Sequence, residues 1–288
     1  MTRPKLFSFG HGYSAQMLAR SLIPQGWDIV GTTRNTAKAQ QFDSAGVQPV
    51  LLGTDPLPPR LAGATHLLIS AGPDAQGDPF LHAYRDVLKD AAPTLEWVGY
   101  LSTTGVYGDH GGDWVDEETP LTPSTKRGVM RMQAEADWRQ VALDLGLNLS
   151  IFRLAGIYGP ERGPFAKVRA GTARRIVKQG QVFSRIHVED IAQALEASIN
   201  RPETGGIYNI CDDLPAPPED VIGYAAELLG LPQPPVESFE TAEMSPMARS
   251  FYAENKKVRN DRMKTLLGVK LIYPDYKTGL KALLALDQ

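Results

Sequence analysis

Along the amino-terminal half of the chain, short apolar blocks alternate with longer stretches in which apolar residues recur at helical spacing. The block from Lys5 to Phe9 runs through a glycine turn into a helical pattern ending near Leu22. Pro24-Gln25-Gly26 then breaks the pattern, and Trp27 to Thr32 reads as a second strand. Further strands are predicted over Val47–Leu52, His66–Ala71, Leu95–Ser102 and Leu149–Leu154, with helices over Ala37–Ala45, Phe80–Ala91 and Arg127–Leu145. Strands alternating with helices imply right-handed crossovers, hence an α/β fold with a doubly wound parallel sheet. Beyond Gly159-Pro160 the regularity weakens, and Pro202, Pro215, Pro217, Pro218, Pro232, Pro234 and Pro235 punctuate short segments. The division expected is a sheet domain over 1–160 and a smaller carboxyl-terminal lobe over 161–288, part of 182–211 returning to the sheet. There is no internal repeat and no low-complexity tract.

The first turn carries the clearest chemistry. Gly10-His11-Gly12-Tyr13-Ser14-Ala15 follows a strand pattern and opens a helix. Gly10 permits a tight turn, Gly12 lets backbone approach a pyrophosphate, and small Ala15 lets the helix lie close to its strand. The helix amino terminus then faces the phosphates, so residues 10–15 predict a Rossmann-type dinucleotide site. The second strand ends in Gly31-Thr32-Thr33-Arg34-Asn35, without the carboxylate that would bind a ribose 2′-hydroxyl. Thr33 and the Arg34 guanidinium suit a 2′-phosphate, which favours NADP over NAD; the alternative is that Arg34 is a solvated charge at a strand end. Ser70, Ala71 and Gly72, after the fourth strand, are small enough to pass beside the same cofactor.

The 288 residues are 42% hydrophobic, enough for a large core, and a net charge of −3 gives no general field for nucleic acid or an anionic membrane. The single cysteine, Cys211, cannot form an intrachain disulfide and fits a reducing compartment. No apolar stretch is long enough to span a bilayer, and a soluble cytoplasmic protein is expected. Five scattered histidines give no metal spacing, and no glycine-flanked serine suggests a hydrolase. The basic run Lys256 to Lys264 lacks an RNA-binding context and reads as a solvated face.

After the fifth strand come Leu101-Ser102-Thr103-Thr104-Gly105-Val106-Tyr107-Gly108 and Asp116-Glu117-Glu118-Thr119-Pro120. Later stand Arg153 through Tyr158-Gly159-Pro160, Ile186-His187-Val188-Glu189-Asp190-Ile191 and Tyr208-Asn209-Ile210. With the amino-terminal turn, this ordered set resembles the extended short-chain dehydrogenase/reductase superfamily, which includes sugar-nucleotide epimerases and dehydratases. The resemblance implies that Thr103 hydrogen-bonds a substrate oxygen. It also calls for a proton-exchanging tyrosine, with a lysine four residues on that holds the nicotinamide ribose. Ser124 through Ala134-Glu135 aligns by its Ala-Glu ending, which puts Arg127 in the tyrosine's place and Arg131 in the lysine's.

That departure alters the chemistry. An arginine stays protonated, so Arg127 can stabilise or clamp an anion but cannot act as a base. Arg131 could still hold ribose or phosphate; alternatively it pairs with Glu135 on a solvated helix face. Thr104-Gly105 replaces the Asp-Glu pair of dehydratases, and Gly156 stands where sugar-nucleotide binders carry an asparagine. The chain is thus similar to an atypical, tyrosine-lacking subgroup whose members mostly have no assigned activity. Tyr107, Tyr158, Asp109 and His110 are other candidates for proton transfer, with Tyr107 nearest the motif of Thr103. His187 and Asp190 resemble a motif that steadies the junction between lobes. Two readings stay open: an NADP-dependent oxidoreductase or epimerase for a small anionic or sugar-like substrate, or an NADP-binding sensor or scaffold without turnover. Relatives dimerise through two long helices, and residues 80–91 and 127–145 could serve as such a homodimer face.

Overall fold

A computed structural model describes residues 3–286; the outermost residues of both predicted lobes, 1–2 and 287–288, lie outside it. The chain begins β1 (Lys5–Phe9), α1 (Tyr13–Leu22), β2 (Asp28–Thr33), α2 (Thr36–Ser44), β3 (Gln48–Leu51), α3 (Pro58–Leu61) and β4 (His66–Ile69). It continues α4 (Pro79–Ala91), β5 (Trp97–Thr103), β6 (Trp114–Val115), α5 (Lys126–Leu145), β7 (Leu149–Leu154) and β8 (Gly156–Tyr158). Then follow α6 (Phe165–Arg169), β9 (Arg175–Val177), β10 (Arg185–His187), α7 (Val188–Ile199) and β11 (Gly206–Ile210). The last stretch holds α8 (Pro218–Leu228), β12 (Val236–Ser238), α9 (Pro246–Phe251), β13 (Lys257–Val258), α10 (Asp261–Leu266) and α11 (Tyr276–Leu286).

Seven strands form one parallel sheet in the order β11-β7-β5-β4-β1-β2-β3. Alternation along each strand sends side chains to two faces: Leu6 packs with Leu18, Leu22 and Leu195 on one, while Phe7 and Phe9 pack with Phe80 and Trp138 on the other. The chain therefore has helices on both sides of a buried sheet. A third apolar cluster, with Phe165, Val221, Ala225 and Leu280, lies in the carboxyl-terminal part. Strand order reverses between β1 and β4, and the crevice beyond their carboxyl ends is where such sheets take ligands.

One strand boundary moved for an identifiable reason. The fourth strand stops at Ile69 rather than Ala71 because the Ser70 and Ala71 amides both donate to the Phe9 carbonyl, at 2.9 and 3.2 Å, which turns the chain out of the ladder. Past Gly159, β10 and α7 lead into β11, which lies within 182–211 and pairs with β7 from Gly206↔Ser150 to Ile210↔Leu154. Among the described residues no helix is long and apolar enough to cross a membrane, and no group of three or more His, Cys, Asp or Glu side chains could hold a metal ion.

Candidate active site

The turn after β1 is tied to β2. The Gly10 amide donates to Thr32 Oγ1 at 2.7 Å and the His11 amide to the Thr32 carbonyl at 3.0 Å. Gly10 has φ +80°, and a Cβ there would lie 2.7 Å from the Ala71 nitrogen, so only glycine lets the ends of β1 and β4 approach this closely. Gly12 caps α1 in an extended conformation, and a Cβ on it would meet only the Gly10 carbonyl at 3.6 Å. The first turn of α1 holds no acidic side chain. An open, positively polarised helix end with no carboxylate beside it fits a dinucleotide pyrophosphate.

The remaining residues of this turn serve the fold. Ala15 is buried against the sheet. The His11 ring lies under Gly31, where a Cβ would come within 2.7 Å of its Cγ, and meets Phe42 edge-on at 4.8 Å. Neither ring nitrogen has a partner, and burial pulls its pKa down to about 4. The Tyr13 hydroxyl donates to the Pro160 carbonyl at 2.8 Å, joining the start of α1 to the segment after β8.

A cavity of about 870 Å³ opens beyond the strand ends. It unites Gly10, Gly12, Tyr13 and Ser14 with Ser70 and Gly72, and both sets with Thr103, Arg127 and Arg131. His11, Ala15, Thr33, Arg34, Ala71 and Tyr107 are not part of its wall. Thr33 Oγ1 accepts from the Asn35 amide at 3.1 Å, and the Arg34 side chain next to it is exposed with no hydrogen bond or ion pair among the described residues.

Thr103 ends β5, and its Oγ1 accepts from the Gly105 amide at 3.1 Å, which leaves the hydroxyl proton to donate into the cavity. Gly128 brings α5 against this turn, since a Cβ there would stand 2.8 Å from the Gly105 carbonyl. One helical turn apart, the two arginines behave differently. Arg127 is exposed at the cavity edge, without an ion pair. Arg131 leans under the sheet, where Nη1 donates to the Leu101 carbonyl at 2.5 Å and the Tyr100 hydroxyl at 3.1 Å. The expected alternative, a pair between Arg131 and Glu135, does not form. Glu135 faces inward and is buried with Arg153, Nη2 to Oε2 at 2.8 Å, because the fully enclosed carboxylate needs a charge that an outward arginine cannot supply.

The same pair removes Tyr107 from the reacting surface. Tyr107 is fully buried, its hydroxyl donating to Asn209 Oδ1 at 2.7 Å and accepting from Arg153 Nη1 at 2.9 Å, and burial pushes its pKa up to about 12. Ser102 Oγ donates to Glu135 Oε1, so the network supports the residue next to Thr103. Asp109 and His110 are likewise engaged, Asp109 accepting the Asn255 amide at 2.7 Å and His110 Nε2 lying 3.1 Å from the Tyr107 carbonyl. Asp190 accepts the Ile272 and Tyr273 amides, anchoring the last segment. Tyr158 does line the cavity, with a pKa raised strongly by burial. Cys211 is buried.

The far wall was not legible in the sequence. Residues 182–185 and 248–256 bring Phe183, Arg185, Tyr252, Glu254 and Lys256 to the cavity. Lys256 Nζ donates to the Gly108 carbonyl at 2.7 Å and to Glu254 Oε2 at 2.9 Å. The basic run beyond it is held by acids, Arg262 by Glu118 and Lys264 by Asp213. Lys257 of the same run lies over the Trp114 ring instead, 5.5 Å from its centroid.

The family model described as the NAD dependent epimerase/dehydratase family matches residues 86–211. Protein YeeZ of Escherichia coli (strain K12) is 30% identical over 284 residues, covering 94% of this chain and 97% of YeeZ. The chain belongs to the NAD dependent epimerase/dehydratase family. A solved structure described as a functionally unknown conserved protein from Silicibacter pomeroyi DSS is 58% identical, with TM-score 0.94 and 98% of each chain covered. UDP-glucuronic acid 4-epimerase from Bacillus cereus, solved in complex with NAD, shares the fold at TM-score 0.75 and 17% identity, covering 96% of this chain and 94% of that one. Gly10, Gly12, Ser70, Gly72, Thr103 and Arg131 share the wall of one cavity at the carboxyl ends of the sheet strands.

Proposed function

We propose that this chain is an NADP-dependent oxidoreductase or epimerase acting on a small anionic substrate. The observation that carries the reading is one continuous cavity: the open α1 terminus lies at one end, the Thr103 hydroxyl stands beside it, and the walls are cationic. Arg127, Arg131, Arg162, Arg185 and Lys256 face it against a single carboxylate, Glu254, which Lys256 already engages. When bound, the dinucleotide supplies or accepts a hydride at its nicotinamide. The protein supplies the rest. Thr103 donates a hydrogen bond to the substrate oxygen, and Arg127 balances the negative charge that gathers there. Arg127 cannot exchange a proton, so its part is confined to balancing that charge. Arg131, fixed on the Leu101 carbonyl, presents Nη2 toward Gly72 for the ribose or phosphate.

NADP is preferred to NAD because Arg34 is exposed and uncommitted beside Thr33, with no acid at the end of β2. Arg34→Ala is expected to weaken NADP at least tenfold in calorimetric titration and to leave NAD nearly unchanged. Equal losses would remove Arg34 from 2′-phosphate recognition. With turnover in hand, Thr103→Ala is expected to lower kcat by about 10²–10³. The second reading, a dinucleotide-binding sensor, draws on Arg127 standing where a proton-exchanging group is called for. NADPH that binds tightly yet is never oxidised by any carbonyl acid would favour it.

A further inference from the structure

Arg185 differs from every other cation of the cavity. Lys256 is paired with Glu254, Arg131 is spent on the Leu101 carbonyl and the Tyr100 hydroxyl, and Arg127 and Arg162 are exposed to water. Arg185 is half-buried, and Nη1 is held by two backbone carbonyls, Phe183 at 2.8 Å and Ala216 at 2.9 Å. Its other edge, Nε and Nη2, has no partner among the described residues, and no carboxylate there lies within 4 Å of it. Asp212 is joined to Arg185 through backbone, its amide donating to the Arg185 carbonyl at 2.7 Å; burial raises its carboxyl to about 8, and its side chain makes no ion pair with the guanidinium. A guanidinium partly withdrawn from water, one edge held by carbonyls and the other unpartnered, gains a charge-assisted hydrogen bond from an anion arriving in the cavity.

The surroundings of Arg185 narrow the anion. Phe183 is fixed by a two-way backbone bridge with Ala216 and meets the Tyr252 ring edge-on, centroids 5.5 Å apart. The Arg185 guanidinium lies 6.0 Å from the Phe183 centroid. The free edge of an arginine is a planar fork that matches a carboxylate, and rigid aromatic walls favour a flat apolar body beside it.

We propose that the substrate is an aromatic carboxylic acid, its carboxylate on Nε and Nη2 of Arg185 and its ring against Phe183 and Tyr252, with the reacting group extended toward Thr103. This rests on the reading of the cavity as a dinucleotide and substrate site. The probes are cinnamate, cyclohexanecarboxylate and inorganic phosphate, titrated calorimetrically into the protein saturated with NADPH. Cinnamate is expected to bind best of the three. Arg185→Gln should weaken it about 10- to 100-fold, and Arg185→Lys, which keeps charge but loses the fork, by an intermediate factor. Phe183→Leu should abolish the preference for cinnamate over cyclohexanecarboxylate.

NADPH titration of each variant is the control and is expected to match wild type. Should Arg185→Gln fail to fold, Arg185→Lys and Phe183→Leu carry the test. Failure of wild type to bind NADPH would sink the underlying reading of the site. Normal NADPH binding with cinnamate affinity indifferent to Arg185, or with phosphate bound more tightly than cinnamate, would overturn the aromatic-acid assignment alone.

Discussion

Arg153→Leu is expected to destabilise the protein by about 3–5 kcal/mol, the cost of leaving a buried charge without its partner. Glu135 is fully enclosed and Arg153 is 2% exposed, so no water reaches the carboxylate when the guanidinium is gone. The loss spreads, because Arg153 also donates to the Tyr107 hydroxyl, which in turn holds Asn209 on β11. Urea unfolding should show a lower midpoint with an unchanged slope. The double variant Glu135→Leu/Arg153→Leu should recover much of the loss, since two apolar side chains leave no orphaned charge. If the double variant is as unstable as the single one, the penalty lies in lost packing and not in the charge. The consequence for the site is positional: Ser102, bonded to Glu135, precedes Thr103, so the pair fixes the end of β5 that carries Thr103.

The second large effect is acid sensitivity. His11, His66 and His187 are buried, and burial holds each ring at a pKa of about 4 against an ordinary 6.5. Between these values the unfolded chain binds more protons than the folded one. Their contribution is therefore complete above pH 6.5 and is lost as pH falls toward 4. At pH 5 the loss is on the order of 1–2 kcal/mol per ring. Asp212 runs the other way: with its folded pKa raised from 3.8 to about 8, it favours the native state at low pH, and that support is lost progressively as pH rises from about 4 and is gone above 8. The three histidines outweigh it in acid. His66→Gln should show a shallower fall of the urea midpoint than wild type between pH 7 and pH 5, the difference isolating one ring. Identical pH profiles would show that the imidazole titrates normally in the folded protein.

Local chemistry along the chain determined the sheet and the cofactor turn. Period-two and helical spacing placed the longer strands and helices of the first half within a residue or two, and missed only the short α3 and β6, because those periods decide which side chains can be buried together. Gly10 and Gly12 were readable because only glycine tolerates the backbone geometry and close approach that the turn requires. The family motifs put Thr103, Arg127 and Arg131 in one site. Tertiary structure alone decided what the charges and hydroxyls do. Glu135 has Arg131 four residues before it in sequence, yet pairs with Arg153 on a neighbouring strand; Arg131 turns instead to the Leu101 carbonyl. Tyr107 sits in a substrate motif but is sealed beneath it. The wall containing Phe183, Arg185, Tyr252 and Lys256 comes from two distant segments with no regular pattern of their own. Burial and partner are properties of three-dimensional packing, set by which surfaces meet when the carboxyl-terminal lobe closes on the sheet, and a one-dimensional spacing carries no record of that meeting.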